Sequence, residues 1–386
     1  RILHANCHPE EMLIQIKDLE KKFALLPQKP ESKPAVLPTP TDDITHKYQY
    51  FIACQGFFYS GSSTLIGFFR EFDNTSIIGY PDYVYSGTKV EDCGKEVRFF
   101  KDSHLFRFID AFYNENQLEQ DAVIKNFIND IYTCYNRKGL YSWDKNPKIY
   151  NDKFFKKSMD LLIATLDLDD YTINFMKDKK YPTSWNSADP QFQGCCFMLN
   201  EDIKQYVFYK FKKLSSEVFE AYIADYISSF FDVISSKEFL ICDQIFGHKY
   251  LDRYNKYARI PAKQICIYRD PRDQFISALR TDSKIMPRNI DAFVKFYKNS
   301  YGLEEMLKNP NPNRLLIKFE DFVLKYEETA KQIMDFVGID PRHQIEKNKI
   351  FDPTISAVNI GAYKDFIDQD FIKQIEERLS EYCYNI

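Results

Sequence analysis

Short apolar runs alternate along the chain with longer segments in which apolar residues recur every three or four positions. The runs cover residues 50–54, 238–242, 265–268 and 315–318. Short continuous apolar runs are typical of strands buried on both faces, and the three-to-four spacing is typical of amphipathic helices. Strands separated by helices favour a mainly parallel sheet with helices on both faces. The pattern therefore predicts an α/β fold.

The helical spacing follows the late strands and also fills the interval between the first two runs. Helices are predicted at 288–308, 324–337 and 368–384, and within the interval at 116–135, 151–166 and 201–234. That interval is far longer than one crossover connection needs, so we expect a large helical insertion at about 105–235. Its aromatic residues at helical spacing predict core packing. The alternative is a lid over a substrate site, since aromatic faces also stack on sugar rings.

The start of the chain has a different pattern. Residues 8–27 carry an apolar helical stripe, and residues 28–45 combine several prolines with few aliphatic side chains. Such a stretch suits an extended linker. We therefore divide the chain into an N-terminal helix and linker, 1–45, and a folded domain, 46–386. The leading helix is expected to be a packing element or a dimerisation element that would make the protein a homodimer.

Composition narrows the class of protein. The chain has 386 residues, of which 44% are hydrophobic and 16% aromatic, enough for a large core. A formal net charge of −4 argues against nonspecific nucleic-acid binding, which needs a strongly basic surface.

The cysteines bear on location and metal binding. The nine cysteines are scattered without a CxxC pair, which supports neither a zinc site nor a disulfide framework and indicates a reducing compartment. The sequence shows no membrane-length apolar stretch and no signal peptide, so a cytoplasmic enzyme without a metal is expected.

A glycine loop follows the first apolar run. Gly56 and Gly61 have the GxxxxG spacing of a phosphate loop, and a predicted helix follows them. Small residues let backbone N–H groups surround an anion at a helix N-terminus. In a nucleotide kinase or ATPase the next residue is a lysine that contacts the β- and γ-phosphates, but here it is Ser62. The missing lysine weakens a kinase interpretation.

A second anion motif begins where the run 265–268 ends. Arg269 stands at the end of this predicted strand, and Pro271 fits the first turn of a helix. Asp270 and Asp273 suit the electropositive start of that helix. Ser277 follows one turn after Asp273, so Arg269 and Ser277 are predicted to hold one phosphate from two sides.

Together the two motifs resemble those of sulfotransferases that use 3′-phosphoadenosine-5′-phosphosulfate (PAPS). Residues 59–63 match the family's first motif, a lysine or arginine followed by serine, glycine and two hydroxyl residues, except at the first position. Residues 269–277 reproduce its second motif. The resemblance implies a three-layer α/β/α P-loop NTPase-like core, with PAPS as co-substrate and no metal. It also implies that the 3′-phosphate binds Arg269 and Ser277, and that the 5′-phosphosulfate binds a set of loop residues: Gly56, Tyr59, Ser60, Gly61, Ser62, Ser63 and Thr64.

Two weaker matches follow in the family's order. Residues 315–322 are similar to its late strand and Phe/Tyr-Glu-Asp turn, and residues 359–364 are similar to its C-terminal loop. The latter match adds Gly361 and Lys364 to the cofactor-binding residues. The resemblance spans residues 46–386, of which 105–235 are essentially unmatched.

One position departs from the family pattern. Tyr59 stands where the family places a cation between the transferred sulfuryl group and the leaving phosphate, and a phenol cannot neutralise that charge. Either another cation supplies the charge or transfer is impaired. Among Arg98, Lys101 and Arg107, which lie within or shortly after a strand candidate at 96–100, Lys101 is our choice.

Three residues are candidates for the base that accepts the acceptor's proton. Glu96 begins the strand candidate 96–100, which resembles a glutamate-bearing strand of carbohydrate sulfotransferases; a surface carboxylate is the alternative. His104 titrates near neutrality, although a lone histidine is more often structural. Asp243 follows the run 238–242, where cytosolic family members carry a catalytic histidine. It is equally suited to cap a helix or to orient Arg269.

The sequence thus predicts a sulfotransferase that moves the sulfuryl group of PAPS to a hydroxyl or amine of a carbohydrate. A small phenol, a lipid and a protein tyrosine are alternative acceptors. A non-catalytic protein that binds PAPS or another nucleotide is the alternative outside enzymology, and a P-loop small-molecule kinase is the rival enzyme.

Overall fold

A five-stranded parallel sheet forms the centre of the protein. The computed structural model describes residues 51–78, 104–136, 152–168, 173, 209–231, 237–281, 283 and 286–385. The strands are β1 (Phe51–Gln55), β2 (Thr75–Ile78), β3 (Phe239–Asp243), β4 (Ala262–Tyr268) and β5 (Arg314–Lys318). Their order is β2-β3-β1-β4-β5, and every neighbouring pair is parallel. The predicted α/β fold with a parallel sheet is confirmed.

Helices connect these strands along the described parts of the chain. They are α1 (Ser62–Arg70), α2 (His104–Phe112), α3 (Gln117–Asn136), α4 (Asp152–Thr165), α5 (Ser216–Phe231), α6 (Leu251–Tyr257), α7 (Pro271–Arg280), α8 (Ile290–Tyr301), α9 (Leu303–Lys308), α10 (Phe319–Leu324), α11 (Tyr326–Val337), α12 (Pro353–Ser356) and α13 (Gln369–Leu379).

Apolar residues on both faces of the sheet explain the layers. In β1, Phe51 and Ala53 join a cluster with α2 to α6, whereas Ile52 and Cys54 join a second cluster with α1, α10 and α11. All four are at most 1% exposed. Alternate side chains of a strand point to opposite faces, so a continuous apolar run belongs at the centre of a sheet that is covered twice. The three-layer arrangement follows.

The helical insertion is a packed unit. Helices α2 to α5 lie between β2 and β3 in the chain, and α2 was not predicted. Phe108 stacks on Phe127 with ring centroids 4.4 Å apart, and Phe112 stacks on Phe219 at 3.8 Å. The described aromatic side chains of the insertion therefore contribute mainly to a core, as the helical spacing predicted.

Two predicted helices differ from the structure. Helix α5 begins only at Ser216, because residues 210–212 pair with residues 165–167: Asp167 N–H donates to Lys210 O and Lys212 N–H donates to Thr165 O. The predicted helix 288–308 is divided at Gly302, which has φ +53° and ends α8 in the left-handed conformation that glycine adopts readily. The prediction of one continuous helix was wrong there.

Several predictions concern other parts of the chain. The N-terminal helix and linker, and the strand candidate 96–100, lie outside the described residues. The described strand after α1 is β2, which was not predicted. Among the described helices, none combines the length and apolarity that crossing a bilayer requires.

Candidate nucleotide-binding site

The glycine loop, residues 56–61, leaves the carboxyl end of the central strand β1. Phe57 N–H donates to Ser60 Oγ at 2.7 Å, and Ser60 N–H donates to Phe57 O at 2.6 Å. These bonds close a tight turn directly before α1. Gly61 is the N-cap of α1 and has no side chain to accept its first N–H groups. The loop therefore presents backbone donors to an anion.

Both glycines of the loop are required by close contacts. A Cβ atom on Gly56 would lie 2.0 Å from Ser62 Cβ. A Cβ atom on Gly61 would lie 2.4 Å from the ring of Phe319, and Gly61 has φ +87°. Phe319 begins α10, in the late-strand match, so the loop packs directly on a second predicted motif.

Gly61→Ala is expected to lower the free energy of unfolding by about 1–3 kcal/mol, because a left-handed residue gains a Cβ against an aromatic ring. The matched control is Gly67→Ala in the middle of α1, where the new Cβ would have its nearest contact at 3.4 Å. That change should raise the free energy by about 0.5–1 kcal/mol through helix propensity. Urea unfolding measures both; equal shifts in the same direction would contradict this account of the loop.

Arg269 joins the glycine loop to the arginine motif, residues 269–277. It follows β4, and α7 begins after Asp270, whose side chain accepts Arg272 N–H as an N-cap, with Pro271 in the first turn. The Arg269 side chain is only 4% exposed. Its Nη1 donates to Ser277 Oγ at 2.8 Å and to Tyr59 O at 3.2 Å. The pair predicted to hold one phosphate is thus in direct contact.

Within the described part of the protein, Arg269 forms no ion pair. Its guanidinium lies 4.9 Å from the centre of the Phe319 ring, and its buried Nε has no described acceptor. Burial lowers the pKa of Arg269, while the carboxylates of Asp273 and Glu320 oppose that shift. An arginine remains protonated, so a buried positive charge faces the site.

The C-terminal loop, residues 359–364, is hydrogen-bonded to the arginine motif. Asp273 accepts Gly361 N–H at 2.7 Å and Tyr363 N–H at 3.1 Å. Arg269 Nη2 donates to the carbonyl of Asn359. Lys364 is exposed beside them. Burial raises the pKa of Asp273.

Glu320 and Arg272 hold the motif in place. Glu320 is 1% exposed and accepts Asp270 N–H at 3.0 Å, and burial raises the pKa of Glu320 to about 7. Arg272 forms a buried ion pair with Asp270, with Nη2 2.6 Å from Oδ2, and lies 4.0 Å from the ring centre of Tyr363. All four predicted motifs therefore meet at one edge of the sheet.

Of the residues predicted to replace the missing cation at Tyr59, only Arg107 lies among the described residues. Tyr59 has φ +64°, a strained value for a residue with a Cβ, and its carbonyl accepts Arg269. Arg98 and Lys101 lie outside the described residues. Arg107 is exposed on α2, and no described contact joins it to the glycine loop.

Of the three candidates for the base, His104 and Asp243 lie among the described residues. Glu96 lies outside the described residues, and His104 begins α2. Asp243 ends β3 and pairs in register with Cys54 of β1. Gln244 N–H donates to Cys54 O at 2.7 Å, so the end of β3 adjoins the start of the glycine loop. Asp243 is the candidate with a described position beside the loop.

Sequence reasoning missed several supporting side chains. Gln274 Nε2 donates to Phe58 O at 2.6 Å, which ties α7 to the glycine loop. Tyr297 OH donates to Arg269 O at 2.9 Å from α8. Gln274 stood within the predicted motif, but no spacing signal linked it to Phe58, 216 positions away. Tyr297 carried no local signal at all.

The site lies at the carboxyl edge of a parallel sheet, where α/β proteins of this kind bind their ligands. Among known proteins, no family model and no curated protein matches the sequence. Its matches among solved structures include the following three. Retinol dehydratase in complex with androsterone and the inactive cofactor PAP has 18% identity and a TM-score of 0.27, over 40% of this chain and 56% of that one.

The second is the sulfotransferase domain of a Synechococcus olefin synthase, with 14% identity and a TM-score of 0.36 over 93% of this chain and 100% of that one. The third is a mouse sulfotransferase complexed with PAP, with 17% identity and a TM-score of 0.27 over 42% and 72%. Two of the three are named sulfotransferases. The sequence identities and TM-scores are all low, so a function must rest on the site itself.

Proposed function

We propose that the protein is a PAPS-dependent sulfotransferase. The observation that carries this proposal is the contact between Arg269 and Ser277 beside the glycine loop. Two anion-binding elements lie within one hydrogen bond of each other, because Arg269 Nη1 bonds to both Ser277 Oγ and Tyr59 O. A ligand with two separate phosphate groups on one nucleoside, such as PAPS, suits two adjacent anion sites better than a nucleotide with a single phosphate chain.

The glycine loop and the arginine motif would bind different groups of PAPS. Backbone N–H groups at the start of α1 would bind the 5′-phosphosulfate, and Arg269 with Ser277 would bind the 3′-phosphate. In the reaction, an acceptor oxygen forms a bond to sulfur while the bond from sulfur to the bridging phosphate oxygen breaks. The acceptor loses its proton to a base, and adenosine 3′,5′-bisphosphate (PAP) leaves with the bond's electron pair.

Asp243 is proposed as that base. It continues the strand face of Phe239 and Ile241, which packs toward α1, and it lies in register with the last residues before the glycine loop. Its negative charge contributes, after burial, to the raised pKa of the Cys54 thiol, which agrees with this position. Glu96 remains the base predicted from the resemblance, with His104 and the cation Lys101 as further predictions.

A carbohydrate hydroxyl is the proposed acceptor. Its support is the resemblance of the strand around Glu96 to carbohydrate sulfotransferases. The described aromatic residues of the insertion add little, since those such as Phe108 and Phe127 are buried in its core.

Calorimetric titration of the purified full chain with PAP, ATP and adenosine 5′-phosphate tests the nucleotide. We expect tight binding of PAP, with the two comparison ligands at least about tenfold weaker, because only PAP fills the Arg269 site. A preference for ATP, or no binding, would overturn the proposal. Labelled PAPS incubated with panels of sugars, phenols and lipid alcohols then identifies the acceptor.

A non-catalytic PAPS-binding protein is the second candidate, and Tyr59 is the observation that favours it. The glycine loop has no cation at this position to neutralise charge on the leaving phosphate. Tight PAP binding combined with no transfer to any acceptor class would select this candidate.

A further inference from the structure

The clearest side chain without an assigned role near the site is Arg280, the last residue of α7. It is exposed, and within the described parts of the chain it forms no ion pair. An arginine at a helix C-terminus also interacts favourably with the helix dipole. That interaction does not depend on which face of the helix carries the arginine. The position of Arg280 around α7 is therefore a separate observation.

Arg280 continues a stripe of α7 that faces the site. Asp273, Ser277 and Arg280 have the i, i+4, i+7 spacing that places side chains on one helix face. Asp273 binds the backbone of the C-terminal loop, and Ser277 binds Arg269. The helix also contacts the glycine loop, because Gln274 donates to Phe58 O. The next side chain along this stripe is Arg280.

Electrostatics agree with that placement. Burial is the largest influence on the pKa of Arg269, and nearby carboxylates oppose it. The positive charge of Arg280 is a further, smaller influence that lowers this pKa. The nearest carboxylate on the stripe, Asp273, already accepts two backbone N–H groups with its two oxygens. Two guanidinium groups therefore share one side of the site, and Arg280 has no described acidic partner of its own.

We propose that Arg280 provides a second guanidinium for the phosphate that Arg269 and Ser277 hold, and so specifies a 3′-phosphate. This inference rests on the proposed function. A phosphate monoester carries about two negative charges at neutral pH, and two arginines match that charge, with planar donors suited to phosphate oxygens. Arg269 is fixed and buried, whereas Arg280 reaches the same ligand from solvent.

The test is calorimetric titration of wild type, Arg280→Ala and Arg280→Lys with PAP and with adenosine 5′-phosphate. For Arg280→Ala we expect PAP to bind about tenfold more weakly, while adenosine 5′-phosphate changes by less than about twofold. Arg280→Lys should recover part of the loss because it keeps the charge. Arg342→Ala is the control, since Arg342 is an exposed arginine paired with Asp340.

Each outcome separates this inference from the function on which it rests. Unchanged PAP affinity in Arg280→Ala would overturn the role of Arg280, as would an equal loss for both ligands, which indicates a general or structural effect. A wild-type protein that does not prefer PAP would instead overturn the proposed function. Thermal melting of each variant confirms that the folded state is compared throughout.

Discussion

Arg269→Ala is expected to weaken PAP binding by about 100-fold or more. Charge-assisted hydrogen bonds contribute about 1.5–3 kcal/mol each, and a guanidinium can make more than one of them to a phosphate. The side chain is 4% exposed, so water cannot replace it readily. Calorimetry with PAP measures the change, and an unchanged dissociation constant would mean that the arginine motif does not bind the nucleotide.

Arg269 also supports the fold, so a second variant is needed. Its removal leaves the carbonyls of Tyr59 and Asn359 without their donor, and lower stability alone could weaken binding. Ser277→Ala removes only a hydroxyl from the same phosphate site and should weaken PAP binding by about tenfold with little change in melting temperature. Arg342→Ala controls for the change in net charge. Normal PAP binding by Ser277→Ala would argue against a shared phosphate site.

The strands that the sequence predicted best are those whose residues are apolar on both faces. For β1 and β5, predicted and observed limits differ by one residue. Strand β4 begins at Ala262, three positions before its predicted start. The prediction started too late because the buried polar residue Gln264 interrupts the apolar run. Its amide oxygen accepts Arg314 Nε from the neighbouring strand at 2.9 Å, and that partner is 50 residues away. A local pattern cannot show how a buried polar group is satisfied.

Strand β2 was missed for a similar reason. It lies at the edge of the sheet and begins with Thr75 and Ser76, so it lacks a continuous apolar run. The hydroxyl of Thr75 donates to Phe69 O at 2.7 Å, at the end of α1. This contact fixes the turn from helix to strand. Edge strands need fewer apolar residues than central ones, and composition alone did not distinguish this one from a loop.

The candidate site was easier to predict than its supports. Gly61 and Arg269 belong to short local motifs, in which backbone conformation and chemistry constrain neighbouring positions together. Their meeting point follows from parallel topology, since all the strands end at one edge. By contrast, Phe319 packs on Gly61 through a contact that depends on the order of strands, and no sequence spacing encodes that order.

Asp243→Asn is expected to leave PAP affinity within about threefold of wild type and to reduce sulfuryl transfer by about 10²- to 10⁴-fold, the usual contribution of a general base. Asparagine has nearly the same shape but cannot accept the acceptor's proton. The measurement is the turnover of labelled PAPS with the acceptor found by the panel, at saturating concentrations of both substrates, so that a change in binding does not enter the rate.

Asp335→Asn is the matched control, since Asp335 is an exposed carboxylate paired with Lys331 on α11. A pH profile distinguishes a base from a structural group. If Asp243 is the base, the wild-type rate falls as Asp243 is protonated at low pH, and the residual rate of Asp243→Asn lacks that fall. A variant with the wild-type rate and profile would move the base to Glu96 or His104, and the same substitution strategy, Glu96→Gln and His104→Asn, would then decide between them.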